Sequence, residues 1–424
     1  MDRRGFLANS GRIALIAGSG AATAQAAASR AASSQTGRIA SDVESRVASI
    51  VQVYDGHGNH RTATPGDVAA AEWLSTELRR IGVKPQFEEF SLDRIEPQTA
   101  YVRTVKGRID GVPVFDAAFT DANGIRGRLG FLGSEAEIAV VESDPYVLLE
   151  PQREQLSEVA EARKSKHKAV VVLTRGSVPG LYLLNAISFL KPFGPPMLQV
   201  SGVESERLKV LASEGAEALL VIQVSRIPAK ASNITALVAG KNRELGPIVV
   251  STPRSGWWEC AGERGGGIAC WLEVVRTLAS SKPDRDVLFA AFSGHEVGFI
   301  GVEDYVRRRP GIYKRAHAWI HLGANIGVAH QPNLVTASDD SLRQWLVKPF
   351  AAEGLAIHNV AGPDARVRGE AGAIRRGGAR YVTLVCGTNF FHHPADRWPE
   401  AIDVGLLAAY ARGVANGVAQ LASQ

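Results

Sequence analysis

Residues Val287 to Phe292 are apolar without alternation and run straight through Ser293 and Gly294 into two adjacent ionisable residues, His295 and Glu296. An unbroken apolar run suits a strand covered on both faces, which a parallel or mixed sheet with helices on each side provides. The stretch Asp286 to Gly301 therefore commits the chain to an α/β architecture. It also puts His295 and Glu296 just beyond a strand end, where open α/β sheets bind their ligands.

The rest of the C-terminal half repeats that texture. Strands are expected at 233–239, 247–251, 286–292, 316–322 and 380–386, with helices at 266–279, 297–308 and 399–421. The alternation predicts a mixed, largely parallel sheet covered by helices on both faces. Nearer the start, Ala70, Ala71, Leu74, Leu78 and Ile81 have helical spacing, with Asp67 at the front and Gly82 just past the end. The loop before this helix carries His57 and His60, and with no spacing that forces them together it reads as a solvated turn.

From Pro97 to Ser232 the pattern changes to short strand-like runs (168–174, 197–201, 218–224) and a helix over 204–214, with no catalytic cluster. The organisation expected is a main domain of residues 41–96 and 233–424 interrupted by an insertion over 97–232. With 45% hydrophobic and 21% charged residues the chain is globular. Its net charge of +5 is small for 424 residues and no Lys/Arg stripe is present, which argues against a nucleic-acid partner.

Residues 1–26 read as a leader. Arg3-Arg4-Gly5-Phe6-Leu7 resembles a twin-arginine signal, followed by a short Gly/Ala-rich apolar stretch and the small-residue site Ala24-Gln25-Ala26. The expectation is a periplasmic or secreted protein without a membrane anchor, joined through a linker over 27–40. Three cysteines, Cys260, Cys270 and Cys386, make no disulfide scaffold and read as buried apolar residues.

The chemistry gathers at three strand ends. After 247–251 come Thr252, Arg254, Cys260 and Glu263; after 286–292 come His295 and Glu296; after 380–386 come His392, His393 and Asp396. Carboxylates and imidazoles are ordinary zinc ligands, and a catalytic zinc needs three of them with one position open. The triplet read as metal ligands is Glu263, Glu296 and His392. Arg254, Trp258, Phe391 and His393 are the candidates for substrate binding. Cys260 with His295 would make a thiol and base pair, but no motif supplies an orienting group or oxyanion hole.

The order of the GERGGGIACWLEVVRTL helix, FAAFSGHEVGFIGVEDYV, WIHLGANIG and FFHHPADRWPEAID resembles the co-catalytic zinc aminopeptidase family. The similarity runs from about Ser41 to the end. Within the insertion, the runs AVVVLTRG, GPPMLQVSG and ALLVIQV resemble a β-rich protease-associated domain, which implies an accessory role. The resemblance implies that Glu263 stands at a bridging carboxylate, Glu296 at a ligand, His392 at the closing ligand, and His295 where a glutamate base is usual. It also implies that Thr252, Arg254 and Gly323 replace three further ligands, so that at most one zinc ion is expected. An unperturbed imidazole titrates near neutrality, so in a one-zinc site His295 would serve as base, or would instead hydrogen-bond Glu296.

These readings point first to an exported hydrolase of a peptide or amide bond, using one zinc. The alternative is an inactive relative that binds peptides or carboxylates. A third reading is chemistry other than peptide hydrolysis at Arg254, Cys260 and Glu263.

Overall fold

The structure, a computed structural model, describes residues 42–144, 157–362, 367 and 369–424. The leader and the linker lie outside them. Among the described residues the strands are β1 Pro85–Thr104, β2 Gly107–Asp110, β3 Val112–Pro113, β4 Ile125–Phe131, β5 Ile138–Ser143, β6 Ala169–Thr174, β7 Met197–Ser201, β8 Glu217–Val238, β9 Ile248–Pro253, β10 Val287–Phe292, β11 Ala318–Leu322, β12 Asn333–Ala337, β13 Asn359–Ala361 and β14 Tyr381–Cys386. The helices are α1 over 42–56, α2 Pro65–Ile81, α3 Glu158–Lys164, α4 Ser205–Ser213, α5 Gly266–Ser281, α6 Ile300–Arg307, α7 Ile312–Arg315, α8 Asp340–Ala352, α9 Glu370–Arg376 and α10 Val404–Ala422.

The strands form one mixed sheet in the order β13-β12-β14-β11-β9-β10-β8-β4-β5-β6-β7-β3, with β1 along β8 and β2 along β1. Strands β14, β11, β9 and β10 are parallel neighbours. The two-residue period of a strand divides their side chains between two layers. Ile248, Val250, Val287, Phe289, Ile320 and Leu384 pack with α1, α2, α5, α8 and α10. Val249, Ala290, Phe292, Trp319 and Tyr381 pack on the other side with residues of α6, α7 and α9. The helix-covered sheet expected from the unalternating run is therefore present. Among the described residues no helix is long and apolar enough to cross a membrane.

A separate protease-associated domain is not evident. β1 and β8 pair antiparallel from Pro85 with Ala236 to Thr104 with Ala218, so one ladder runs straight across the expected boundaries near 97 and 232. The register shifts only between Pro97 and Thr99, where a proline cannot donate to the ladder. Because β8 also pairs with β10 near its end and with β4 near its start, the inserted strands extend the main sheet.

Helix α2 starts at Pro65 after an N-cap Thr64 and ends on Gly82 in the left-handed region, as its sequence signals require. The loop ahead of it is not the solvated turn its polarity suggested. His60 is fully buried, stacked on Tyr54 with ring centroids 3.8 Å apart, and Thr62 is buried beside it. Through Thr62 N and Oγ1 the loop donates to the buried Glu296 carboxylate.

Candidate metal centre

Strand β9 delivers the chain to Cys260, which has φ 55°, and then to one wide π-type turn, Ala261–Gly265. Such turns in front of an α-helix are uncommon and concentrate at functional sites. This one points Glu263 inward, with the backbone N–H groups of Gly262 and Glu263 donating to the Asp396 carboxylate at 2.7 and 2.8 Å. His295 follows β10, and His392, itself at φ 58°, follows β14. Three strand ends thus meet: Glu263, His295 and His392 are all buried, and one ligand atom of each lies within 4.8 Å of the others.

The hydrogen bonds fix which imidazole nitrogens face inward. His392 Nδ1 lies 2.7 Å from the carbonyl oxygen of Leu183, so that nitrogen carries the proton and donates. His295 Nδ1 is 2.9 Å from both carboxylate oxygens of Glu370 and likewise donates. Each ring is left with a bare Nε2 lone pair, buried and without a hydrogen-bond partner. His392 Nε2 lies 3.4 Å from Glu263 Oε1 but lacks the alignment of a hydrogen bond. Two orphaned imidazole lone pairs facing one carboxylate fit a single cation, because the ion supplies what both nitrogens lack.

Glu370, the first residue of α9, does not feature in the sequence reading. The residue before it, Gly369, has φ 62° and ψ −145°, a conformation open to glycine, and a Cβ there would sit 3.4 Å from His295 Cε1. Burial pushes the Glu370 carboxyl up, but the facing His295, His321 and Arg264 outweigh this and hold it at about 2. His321 on β11 completes a chain of donors. Trp319 Nε1 donates to Ser251 Oγ at 2.7 Å, Ser251 Oγ is 3.0 Å from His321 Nδ1, and His321 Nε2 is 3.7 Å from Glu370 Oε2. Burial lowers His321 to about 4, against the opposing pull of Glu370, so it is neutral near pH 7.

Arg264 stands beside Glu263 and its Nη2 donates to Glu263 Oε1. Burial alone would raise the Glu263 carboxyl, but Arg264 and then His392 overcome it, and the group is held well below the usual range. Asp396 is pushed up to about 7, first by burial and then by the charge of Glu263, against the two backbone donors it binds.

The other residues singled out in the sequence lie elsewhere. Glu296 is fully buried, and its carboxylate accepts from Thr62 N and Thr62 Oγ1 at 2.6 Å and from Ser255 Oγ at 2.7 Å. Those donors use the oxygens, and Glu296 is not in the cluster; His295, one residue earlier, takes the place expected for it. Arg254 does not face the cluster either. It donates to the side chain of Asp67 at 2.7 Å and to Ser232 O at 2.8 Å, tying β9 to α2 and β8. Thr252 and Gly323 bring no ligand, and no second group of metal-binding side chains occurs among the described residues.

Of the residues expected to bind substrate, Phe391 alone reaches the cavity beside the cluster. Its ring stacks on His392 at 3.8 Å. The Trp258 indole N–H donates to His392 O at 2.9 Å and so supports the loop. His393 accepts from Ala395 N and donates to Pro179 O, in contact with Tyr182. Cys260 Sγ is 3.9 Å from Glu263 Oε2, and burial, followed by the charges of Glu263 and Asp396, pushes the thiol well above its ordinary value. It is no thiolate nucleophile, and all three cysteines are free and buried.

The cavity has a volume of about 270 Å³. Its polar wall includes Arg264, His295, His321, Asn325, Asn359 and Glu370, and Ala324, Leu334, Val367, Val385 and Phe391 are among its apolar lining. Signals for the missed residues were slight: Arg264 is adjacent to Glu263 in sequence, whereas nothing local marks Glu370.

A model of Peptidase family M28 matches residues 251–418. No curated protein matches the chain. Among solved structures, BSAP, a zinc aminopeptidase from Bacillus subtilis, superposes with a TM-score of 0.72 at 17% identity, over 91% of this chain and 95% of that one. The aminopeptidase from Aneurinibacillus sp. strain AM-1 gives 0.69 at 14% identity, over 91% and 94%. A Peptidase M28 precursor from Shewanella amazonensis SB2B gives 0.70 at 14%, over 91% and 96%. At these identities the likeness establishes the fold, that of zinc aminopeptidases.

Proposed function

We propose that this protein is an M28-type metallohydrolase that cleaves a peptide or amide bond with a single zinc ion held by Glu263, His295 and His392. The observation that carries the proposal is the pair of buried, partnerless Nε2 atoms facing the Glu263 carboxylate. Two imidazoles and one carboxylate are a familiar donor set for catalytic zinc. When bound, zinc supplies a polarising charge for the carbonyl and lowers the pKa of a water.

The chain's own residues do the rest. Glu370 and the Leu183 carbonyl hold the protons on the two Nδ1 atoms, which keeps both Nε2 lone pairs directed inward. Asp396 fixes the turn that carries Glu263. Phe391 and the apolar wall limit water access. Residues 178–186, within the stretch that resembles a protease-associated insertion, brace His392 and His393 through the carbonyls of Leu183 and Pro179, which supports an accessory role for it. The leader supports export to the periplasm or beyond.

The geometry favours one second reading. With no ion at Nε2, the Glu370–His295 pair is a carboxylate-backed imidazole base. This corresponds to the base role expected of His295. Metal analysis separates the two. The purified, zinc-soaked protein is expected to retain about one equivalent of zinc, and the H295A and H392A variants to lose it. Metal-free protein with undiminished amide hydrolysis overturns the zinc proposal.

A further inference from the structure

Besides His295 Nε2, which the metal reading uses, two residues of the cavity wall carry a polar atom without a partner. Arg264 is 1% exposed. Its Nε donates to Ser255 O at 2.8 Å and its Nη2 to Glu263, which locks the guanidinium plane, while Nη1 is buried without an acceptor. Asn325, 3% exposed and at φ 66°, donates through Nδ2 to Cys386 O at 3.0 Å, and its Oδ1 is buried without a donor. Both residues line the cavity, and Arg264 is the one arginine or lysine among its described lining residues.

Leaving such groups unpaired is costly unless a ligand completes them. The missing partners are an anionic acceptor for Arg264 Nη1 and an N–H donor for Asn325 Oδ1. Leu334, Val367, Val385 and Phe391 offer an apolar surface alongside. An amide-linked apolar amino acid with a free carboxylate presents that combination. A peptide's free amino end presents instead a cation, which would leave Arg264 Nη1 without an acceptor.

We infer that the cavity receives the carboxylate-bearing side of the scissile amide, the C-terminal or N-acylated apolar residue, with Arg264 Nη1 donating to its carboxylate and Asn325 Oδ1 accepting its amide N–H. The inference rests on the zinc hydrolase reading and names its substrate class. Hydrolysis there breaks the amide C–N bond and places the oxygen of water on the acyl carbon. The departing nitrogen takes a proton, and the products are a carboxylate and a free amino acid.

The test uses the zinc-loaded full chain and a pair of probes that resist hydrolysis, N-methanesulfonyl-L-leucine and its primary carboxamide, titrated by calorimetry. The acid is expected to bind about tenfold tighter than the carboxamide or better, the gain typical of a hydrogen bond to a charged group. R264M, titrated at saturating zinc, is expected to reduce that preference to within about twofold. N325A is expected to weaken both probes about equally, by roughly fivefold. Equal binding of the two probes to the native protein, or a preference that survives in R264M, overturns the inference.

Should R264M not fold, R264K decides in its place. A lysine keeps a charge beside Glu263 but cannot reach both ways, so the preference must fall; a preference held at the native value overturns the inference. Zinc that never binds removes the hydrolase reading and this inference together, whereas bound zinc without a preference for the acid removes this one alone.

Discussion

His295 Nδ1 lies 2.9 Å from both carboxylate oxygens of Glu370, a residue 75 positions further along the chain. That contact fixes the proton on Nδ1 and turns Nε2 toward Glu263 and His392. Outer partners of this kind typically contribute 10- to 100-fold in metal affinity, roughly. E370Q should therefore bind zinc about 10- to 100-fold more weakly in a competitive chelator titration while keeping the native circular dichroism. Unchanged affinity would show that His295 is not oriented for metal by this carboxylate.

Glu296 separates the family expectation from the geometry. Its oxygens are taken by Thr62 and Ser255, so E296Q should destabilise the fold by about 1–3 kcal/mol, the usual cost of mismatching a buried hydrogen-bonded group. Zinc affinity should stay within about twofold of native. Urea denaturation and the chelator titration together check both parts. A large loss of zinc with intact stability would restore Glu296 as a ligand.

Asp67 and Arg254 form a fully buried ion pair. Burial raises the Asp67 carboxyl, and Arg254 is the leading opposing influence. Removing one partner leaves an unpaired buried charge, so D67A should lose about 3–5 kcal/mol in urea denaturation. The double variant D67A/R254M, with no charge left to strand, should recover a substantial part of it. Equal losses in the single and double variants would contradict this account.

His60 supplies a pH dependence. Burial, then the charge of Arg254, lowers its folded-state value to about 3 from an ordinary 6.5. The unfolded chain therefore binds a proton that the folded chain refuses between those limits. The contribution is fully present above pH 6.5 and is lost as pH falls toward 3. H60Q should lose less stability than the native protein between pH 7 and pH 5, by about 2 kcal/mol, from denaturation at the two pH values. Parallel losses would assign the acid sensitivity to other groups.

The sequence by itself determined the elements and the neighbourhood of the site. The unalternating run at Val287–Phe292 required a sheet covered on both faces, and Asp67 and Gly82 marked the two ends of α2. Because the strands are parallel neighbours, their ends meet at one edge, which is why Glu263, His295 and His392 could all be named from strand ends alone. The tertiary structure decided which side chains turn inward. His295 and Glu296 are adjacent, and only the contacts of Glu370 with the first and of Thr62 and Ser255 with the second set their directions. The same holds for Arg264 over Arg254 as the cation at the cluster, and for the burial of His60. Each of these outcomes depends on contacts between segments distant in sequence, and local pattern carries no information about which of two neighbouring polar groups will find its partner there.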